Sequence, residues 1–233
     1  MLLSPPKANT KLRKSQGDYM VVGLSLAPHK LSGYNVCSSS TPECRKYCLN
    51  HCGLGGVYPK IIERRIEKTK MFMEDRQNFL EQLISELDKY KKVAKKNNQK
   101  LAARLNVFSD IMWEKICPQL FVTHSDVTFY DYTKHVNRYE RFLQGGLPSN
   151  YHLTLSRSEK NEVDCLRLLA EYNNATIAVV FHEIPAKWHG HPVHEGDSSD
   201  LRFKRSGVVG LKSKGKLRKS NSNFVALTSL TSV

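Results

Sequence analysis

The chain is short of acids and lacks any long apolar run. Only 22 Asp and Glu stand against 36 Lys and Arg among 233 residues, a formal charge of +14. A polyanionic partner, DNA or RNA, is one expectation from that surplus. Nowhere do about eighteen apolar residues run together, which excludes a membrane-spanning helix and predicts no membrane partner. The opening MLLSPPKANTKLRK has no hydrophobic core of a secretory leader, so a reducing cytoplasm is the expected location. No stretch rich in Pro, Gly or Ser divides the chain and no internal repeat is visible. The expected organisation is one α/β domain over residues 19–215, with a basic arm at 1–18 and a polar tail at 216–233. A hydrophobic fraction of 40% with 25% charged residues excludes a mainly disordered or collagen-like chain.

Six cysteines are present, and a reducing compartment makes them thiols or metal ligands rather than disulfides. Four crowd into the segment 35–56 as Cys37-x6-Cys44-x3-Cys48-x3-Cys52. If the segment is helical from Glu43 onward, Cys44 and Cys48 share one face about 6 Å apart. Cys52 would then lie roughly 12 Å from Cys44, joining the others only if the helix breaks near Gly53, Gly55 and Gly56. Cys37, in a Ser-rich approach, can fold back onto the pair. No C-x2-C knuckle of structural zinc is present. Thiolate-only ligation from a loop suits a 4Fe-4S cluster better, with zinc and unligated thiols as the other readings. The layout resembles that of radical S-adenosylmethionine enzymes, which carry a three-cysteine loop after the first barrel strand. Their usual C-x3-C-x2-C spacing is absent here.

An apolar run at Tyr19–Ala27 precedes the cysteines, and apolar residues at helical spacing follow from Lys60 to about Gln99. That stretch predicts one long helix or, with Asp75 as an N-cap, two. Then LAARLNVFSD, VTFYDYTK, YHLTLSRSE and ATIAVVFHE alternate with helical stretches, and GVVGLKSKG adds a last strand. Strand followed by helix, repeated, predicts a parallel sheet. The expected architecture is a partial (β/α) barrel of about six mainly parallel strands. In such folds ligands lie beyond the carboxyl ends of the strands. Those ends carry Asn106, Ser109 and Asp110; Asp131, Tyr132 and Lys134; Ser156, Arg157 and Glu159; His182 and Glu183; Lys212 and Lys214.

Asp110, Asp131, Lys134 and Arg157 are the candidate catalytic groups, orienting a reacting group by charge and hydrogen bonds. For Lys134 a strand-end salt bridge is an equal reading. Asn106, Ser109, Ser156 and Glu159 are candidates for holding a small-molecule cofactor, S-adenosylmethionine in the most specific version. Asp197 and Asp200, with Arg202, could hold a cation or a substrate hydroxyl, although a turn followed by an ion pair is the simpler account. His182, His189, His191 and His194 read as exposed loop histidines, Cys117 and Cys165 as core, Trp113 and Trp188 as packing residues. Basic residues gather at both ends, including Lys7, Lys11, Arg13 and Lys14, then Lys204, Arg205, Lys212, Lys214, Lys216, Arg218 and Lys219. No recognition helix, zinc finger or RNA-binding aromatic signature accompanies them, so any phosphate affinity would be salt-sensitive and blind to sequence.

The phrases NVCSSSTPECRKYCL, RLNVFSDIMWE, FYDYTK, HLTLSRSEKN, VVFHEIPAKWHGHPVHEGDSSDLRF and GVVGLKSKGK, in this order from about Gly23 to Gly215, resemble the phage gene-product-88-like family. The resemblance implies a phage or prophage origin, hence the cytoplasm of an infected bacterial host, and it brings no activity with it. It agrees with Cys37, Cys44 and Cys48 as the core thiols, and Cys52 departs from the family pattern. It also implies that Arg104, Asn106, Ser109, Asp110, Asp131, Tyr132, Lys134, Asp197, Asp200 and Arg202 belong to a shared site.

Overall fold

In the computed structural model, which describes residues 1–4 and 17–227, the apolar runs become strands of one sheet. The strands are β1 (Leu3–Ser4), β2 (Tyr19–Leu24), β3 (Lys100–Arg104), β4 (Thr128–Thr133), β5 (Tyr151–Ser156), β6 (Thr176–Phe181), β7 (Lys187–Trp188), β8 (His191–Glu195) and β9 (Gly207–Lys212). Their order across the sheet is β1-β2-β3-β4-β5-β6-β9-β8-β7. Strands β2 to β6, β9 and β8 pair in parallel, and β1 and β7 pair antiparallel at the two ends. All six expected strands are present. The unforeseen ones are β1, on residues expected in the basic arm, and the β7–β8 hairpin, which takes up His191 and His194. The expected partial barrel is corrected to a mixed α/β fold on a nine-stranded, mostly parallel sheet. Its end strands β1 and β7 pair with one neighbour each, so no closed barrel forms among the described residues.

Eight α-helices accompany the sheet among the described residues: α1 (Pro42–Lys46), α2 (Leu54–Val57), α3 (Pro59–Glu74), α4 (Arg76–Lys96), α5 (Trp113–Ile116), α6 (Pro118–Thr123), α7 (Val136–Leu143) and α8 (Glu162–Glu171). The long helical period splits at Asp75, whose carboxylate accepts from the Asn78 N–H at 3.4 Å. Pro118 divides the stretch after β3 into α5 and α6 because its ring cannot continue the preceding turn.

Strand order follows chain order from β1 to β6, without the reversal that makes the crevice of a doubly wound sheet. Helices α3 to α8 pack on one face. Phe72, Phe79, Leu83 and Leu87 of α3 and α4, and Cys165 and Leu168 of α8, share one core with Val22, Ala103, Phe129, Leu153, Ile177 and Val179. This core also takes in Leu2, Leu3 and Ala226, from both sides of residues 19–215. The alternate residues Val21, Ala102 and Tyr130 form a smaller cluster with Leu201, against which Tyr19 and Phe203 pack. The 3₁₀ turn at Arg202–Lys204 thus covers part of the opposite face. Beyond it, toward the carboxyl ends of the strands, that face opens into a cavity.

Candidate functional site

The cavity holds about 940 Å³ and its wall includes all four clustered cysteines, Cys37, Cys44, Cys48 and Cys52. Arg104, Tyr132, Ala178, Val180 and Leu211 contribute from the strands, and Asn106, Ser109, Asp110, Lys134 and Ser156 from their carboxyl ends. Lys212, Lys214, Lys216, Arg218 and Phe224 line it from the last segment of the described chain.

The cysteine segment is not one helix. α1 ends at Lys46, Tyr47 caps it, and Cys48 begins a separate 3₁₀ turn at Leu49–His51. The expectation that Cys44 and Cys48 share one helical face is therefore corrected: the backbone turns between them, ahead of the glycines expected to break it. What replaces helix geometry is a set of long-range ties. Thr41 caps α1 by accepting from the Cys44 N–H at 3.2 Å, and its hydroxyl donates to Glu159 at 2.9 Å. His135 bonds the hydroxyls of both Ser38 and Ser39, at 2.8 and 2.7 Å. Ser222 donates to Glu43 from the other end of the chain.

The four thiols are half-buried. Burial pushes the Cys37 thiol up to about 12, against the lowering effect of the His29 N–H at 3.2 Å, and the nearby Cys48 and Cys44 sulfurs raise it further. Cys48 is raised by burial too, with Cys44 and Cys52 adding to the effect and the Asn50 N–H and Lys134 opposing it. A neighbouring thiolate thus disfavours ionisation of Cys37 and of Cys48. No three of the described His, Cys, Asp and Glu side chains converge on one point as ligands of a single metal ion.

A family model described as gene product 88 matches residues 1–227. The chain belongs to the gene product 88 family. No curated protein and no solved structure matches it, and no helix among its described residues is long and apolar enough to cross a membrane.

In this member of the family the remaining expected residues fall into two groups. Lys134 and Ser156 meet at the cavity wall, Nζ to Oγ 3.1 Å, with the Lys134 ammonium 5.5 Å from the centre of the Phe224 ring. Asp110 also lines the cavity, but its carboxylate is engaged by the Lys134 N–H at 2.9 Å and by Arg138 at 3.2 Å. Asn106 and Ser109 line it as well. The Asn106 side-chain oxygen accepts from the Ser109 hydroxyl, the Ile111 N–H and the Trp113 indole, which shapes the turn after β3.

The second group does not line the cavity. Asp131 points to the helix side of β4, 1% exposed, and accepts from the Asn106 N–H at 2.6 Å, the Asn106 amide at 3.1 Å and the Tyr151 hydroxyl at 2.8 Å. Burial pushes its carboxyl up to about 7 despite those donors. Arg157 pairs with Glu162 and donates to the carbonyls of Asn223 and Phe224, which holds the end of the described chain over the strands. Glu159 serves the Thr41 cap. Asp197 accepts from the Lys212 N–H at 2.9 Å and pairs with Lys214. Asp200 lies beneath the floor with Arg104 at 2.7 Å, and Arg202 donates to the Tyr132 hydroxyl at 2.6 Å. These residues position the wall from behind.

Strand ends alone do not indicate Ala178, Val180 and Leu211, which form the floor with Arg104, a residue implied by the family resemblance. Period-two alternation was the available signal: Ala102 and Arg104, like Tyr130 and Tyr132, share the face opposite the helices. Lys216 and Arg218, in the expected tail, line the cavity. Lys7, Lys11, Arg13 and Lys14 lie outside the described residues.

Proposed function

We propose that the chain is a phage-encoded iron–sulfur protein, a redox or radical-type enzyme holding a 4Fe-4S cluster on Cys37, Cys44 and Cys48 with Cys52 as a further thiol. The observation that supports this most is that all four clustered thiols face one cavity at the carboxyl ends of parallel strands, where ligands sit in this fold class. The raising of Cys37 and Cys48 by neighbouring sulfurs is of the kind a bound metal cluster relieves. Such a cluster, when bound, supplies one-electron chemistry and, with three cysteines, an iron open to a ligand. S-adenosylmethionine is the cofactor class this reading assigns to that position, by analogy with the radical-enzyme layout. Lys134 and Ser156 face the same space and orient the bound molecule, and Asp110 fixes the Lys134 backbone. The thiols stay reduced in the cytoplasm of the infected host.

The test is anaerobic purification with iron, sulfide and zinc analysis and an absorption spectrum, on the natural chain and four variants. About four irons and four sulfides with a broad band near 400 nm are expected. Both should be lost in Cys37→Ala, Cys44→Ala and Cys48→Ala and kept in Cys52→Ala. One zinc and no iron would overturn the redox reading and leave a basic, zinc-stabilised nucleic-acid-binding protein.

A further inference from the structure

The charge of the cavity wall is independent of what its thiols hold. Six of the cavity-lining side chains are cationic: Arg104, Lys134, Lys212, Lys214, Lys216 and Arg218. The one carboxylate among them, Asp110, is already engaged by Arg138. Lys214 pairs with Asp197. Lys212, Lys216 and Arg218 make no ion pair among the described residues.

A second observation lies at the floor. Arg104 is 5% exposed and lines the cavity, and its Nε is buried with no hydrogen-bond partner. The same guanidinium bonds Asp200 through another nitrogen and stacks 4.5 Å from the Tyr132 ring centre. It is therefore fixed in place at the floor, a cation with one buried N–H unpaired. The apolar lining includes Ala178, Val180 and Leu211 of the floor with Leu217 and Phe224.

We propose that the cavity binds an organic phosphate of nucleotide size, its apolar or planar body against the strands and its phosphates on Lys212, Lys216 and Arg218. A volume of about 940 Å³ accommodates such a molecule. Multiple cations on one rim suit a polyphosphate better than a single carboxylate. The basic segment after β9 is thereby a ligand rim rather than a surface for duplex nucleic acid. This deepens the reading above only in taking the same cavity as the working site.

The full-length protein, purified anaerobically, is titrated calorimetrically with ATP, tripolyphosphate and adenosine. Saturable one-to-one binding of ATP is expected, with adenosine much weaker and tripolyphosphate between them. The exposed double variant Lys216→Gln/Arg218→Gln should bind ATP at least about tenfold more weakly, the worth of one charge-assisted hydrogen bond. Lys92→Gln/Lys95→Gln on α4 should bind as the natural chain does. Arg104→Lys, checked by its unfolding temperature, should weaken binding if it folds; if it does not, the rim variant carries the test. Cys44→Ser/Cys48→Ser separates the two proposals, since ATP binding retained without iron supports this one alone. Absence of saturable ATP binding, equal loss in the α4 control, or binding of duplex DNA that ATP does not displace would each overturn it.

Discussion

Gly215 has φ +57°, and a Cβ there would overlap the Cys52 Sγ. A left-handed backbone costs a residue with a Cβ about 1–2 kcal/mol, and here the added methyl also displaces a thiol of the cavity wall. Gly215→Ala should therefore lose about 1–2 kcal/mol in urea unfolding and alter the rate at which Cys52 reacts with iodoacetamide, mapped by mass spectrometry. Unchanged stability and unchanged labelling would show that the last segment does not press on Cys52. Other single residues of the site work through what they hold. Arg157 carries no cavity surface, yet its bonds to the Asn223 and Phe224 carbonyls keep the Phe224 ring beside the Lys134 ammonium.

At the scale of elements, β1 is two residues long and cannot hold itself by its ladder to β2. Its attachment comes from Glu86 on α4, a buried carboxylate that accepts from the Leu2 N–H at 2.7 and 2.9 Å and from the Leu3 N–H at 2.8 Å. Lys68 on α3 donates to the Leu2 carbonyl at 2.6 Å. Two consecutive helices thus clamp an edge strand that would otherwise fray. Glu86→Ala leaves two buried donors unpaired and should cost about 2 kcal/mol or more. Hydrogen exchange should show the Leu3 amide losing protection while amides of β4 and β5 keep theirs. Equal loss across the sheet would mean that the clamp supports the whole core rather than β1.

At the scale of the whole molecule, Asp131 ties β4 to the turn after β3 and to β5 through Asn106 and Tyr151, and its ionisation couples folding to pH. Its carboxyl titrates near 3.8 when unfolded and is pushed up to about 7 in the fold, burial being the largest cause. A raised acid pKa means that the folded state binds more protons between these values. The contribution to stability is therefore full below about 4, falls as pH rises toward 7, and is level above. The slope is at most about 1.4 kcal/mol per pH unit. Urea unfolding at pH 5 and pH 8 should show the natural chain losing more stability across this interval than Asp131→Asn. The amide does not titrate, so the variant lacks this contribution to the slope. Parallel pH profiles for the two proteins would place the coupling elsewhere.

The parts of this protein legible in sequence are those with a local cause. Apolar runs such as YMVVGL and TIAVVF mark parallel strands because strands covered on both faces must be apolar throughout. Asp75 marks the break between α3 and α4 because a helix start needs an acceptor for its free N–H groups. The clustering of four cysteines likewise singles out the cavity segment. The site itself was settled by contacts between distant residues, such as Thr41 with Glu159 and Glu43 with Ser222, which no local period encodes. Strand parity then sorted the strand ends: Arg104 and Tyr132 face the cavity, while Asp131, one residue from Tyr132, faces the helices. Successive side chains of a strand point to opposite faces, and only the packing of the helices decides which face is buried and which is left to form a site.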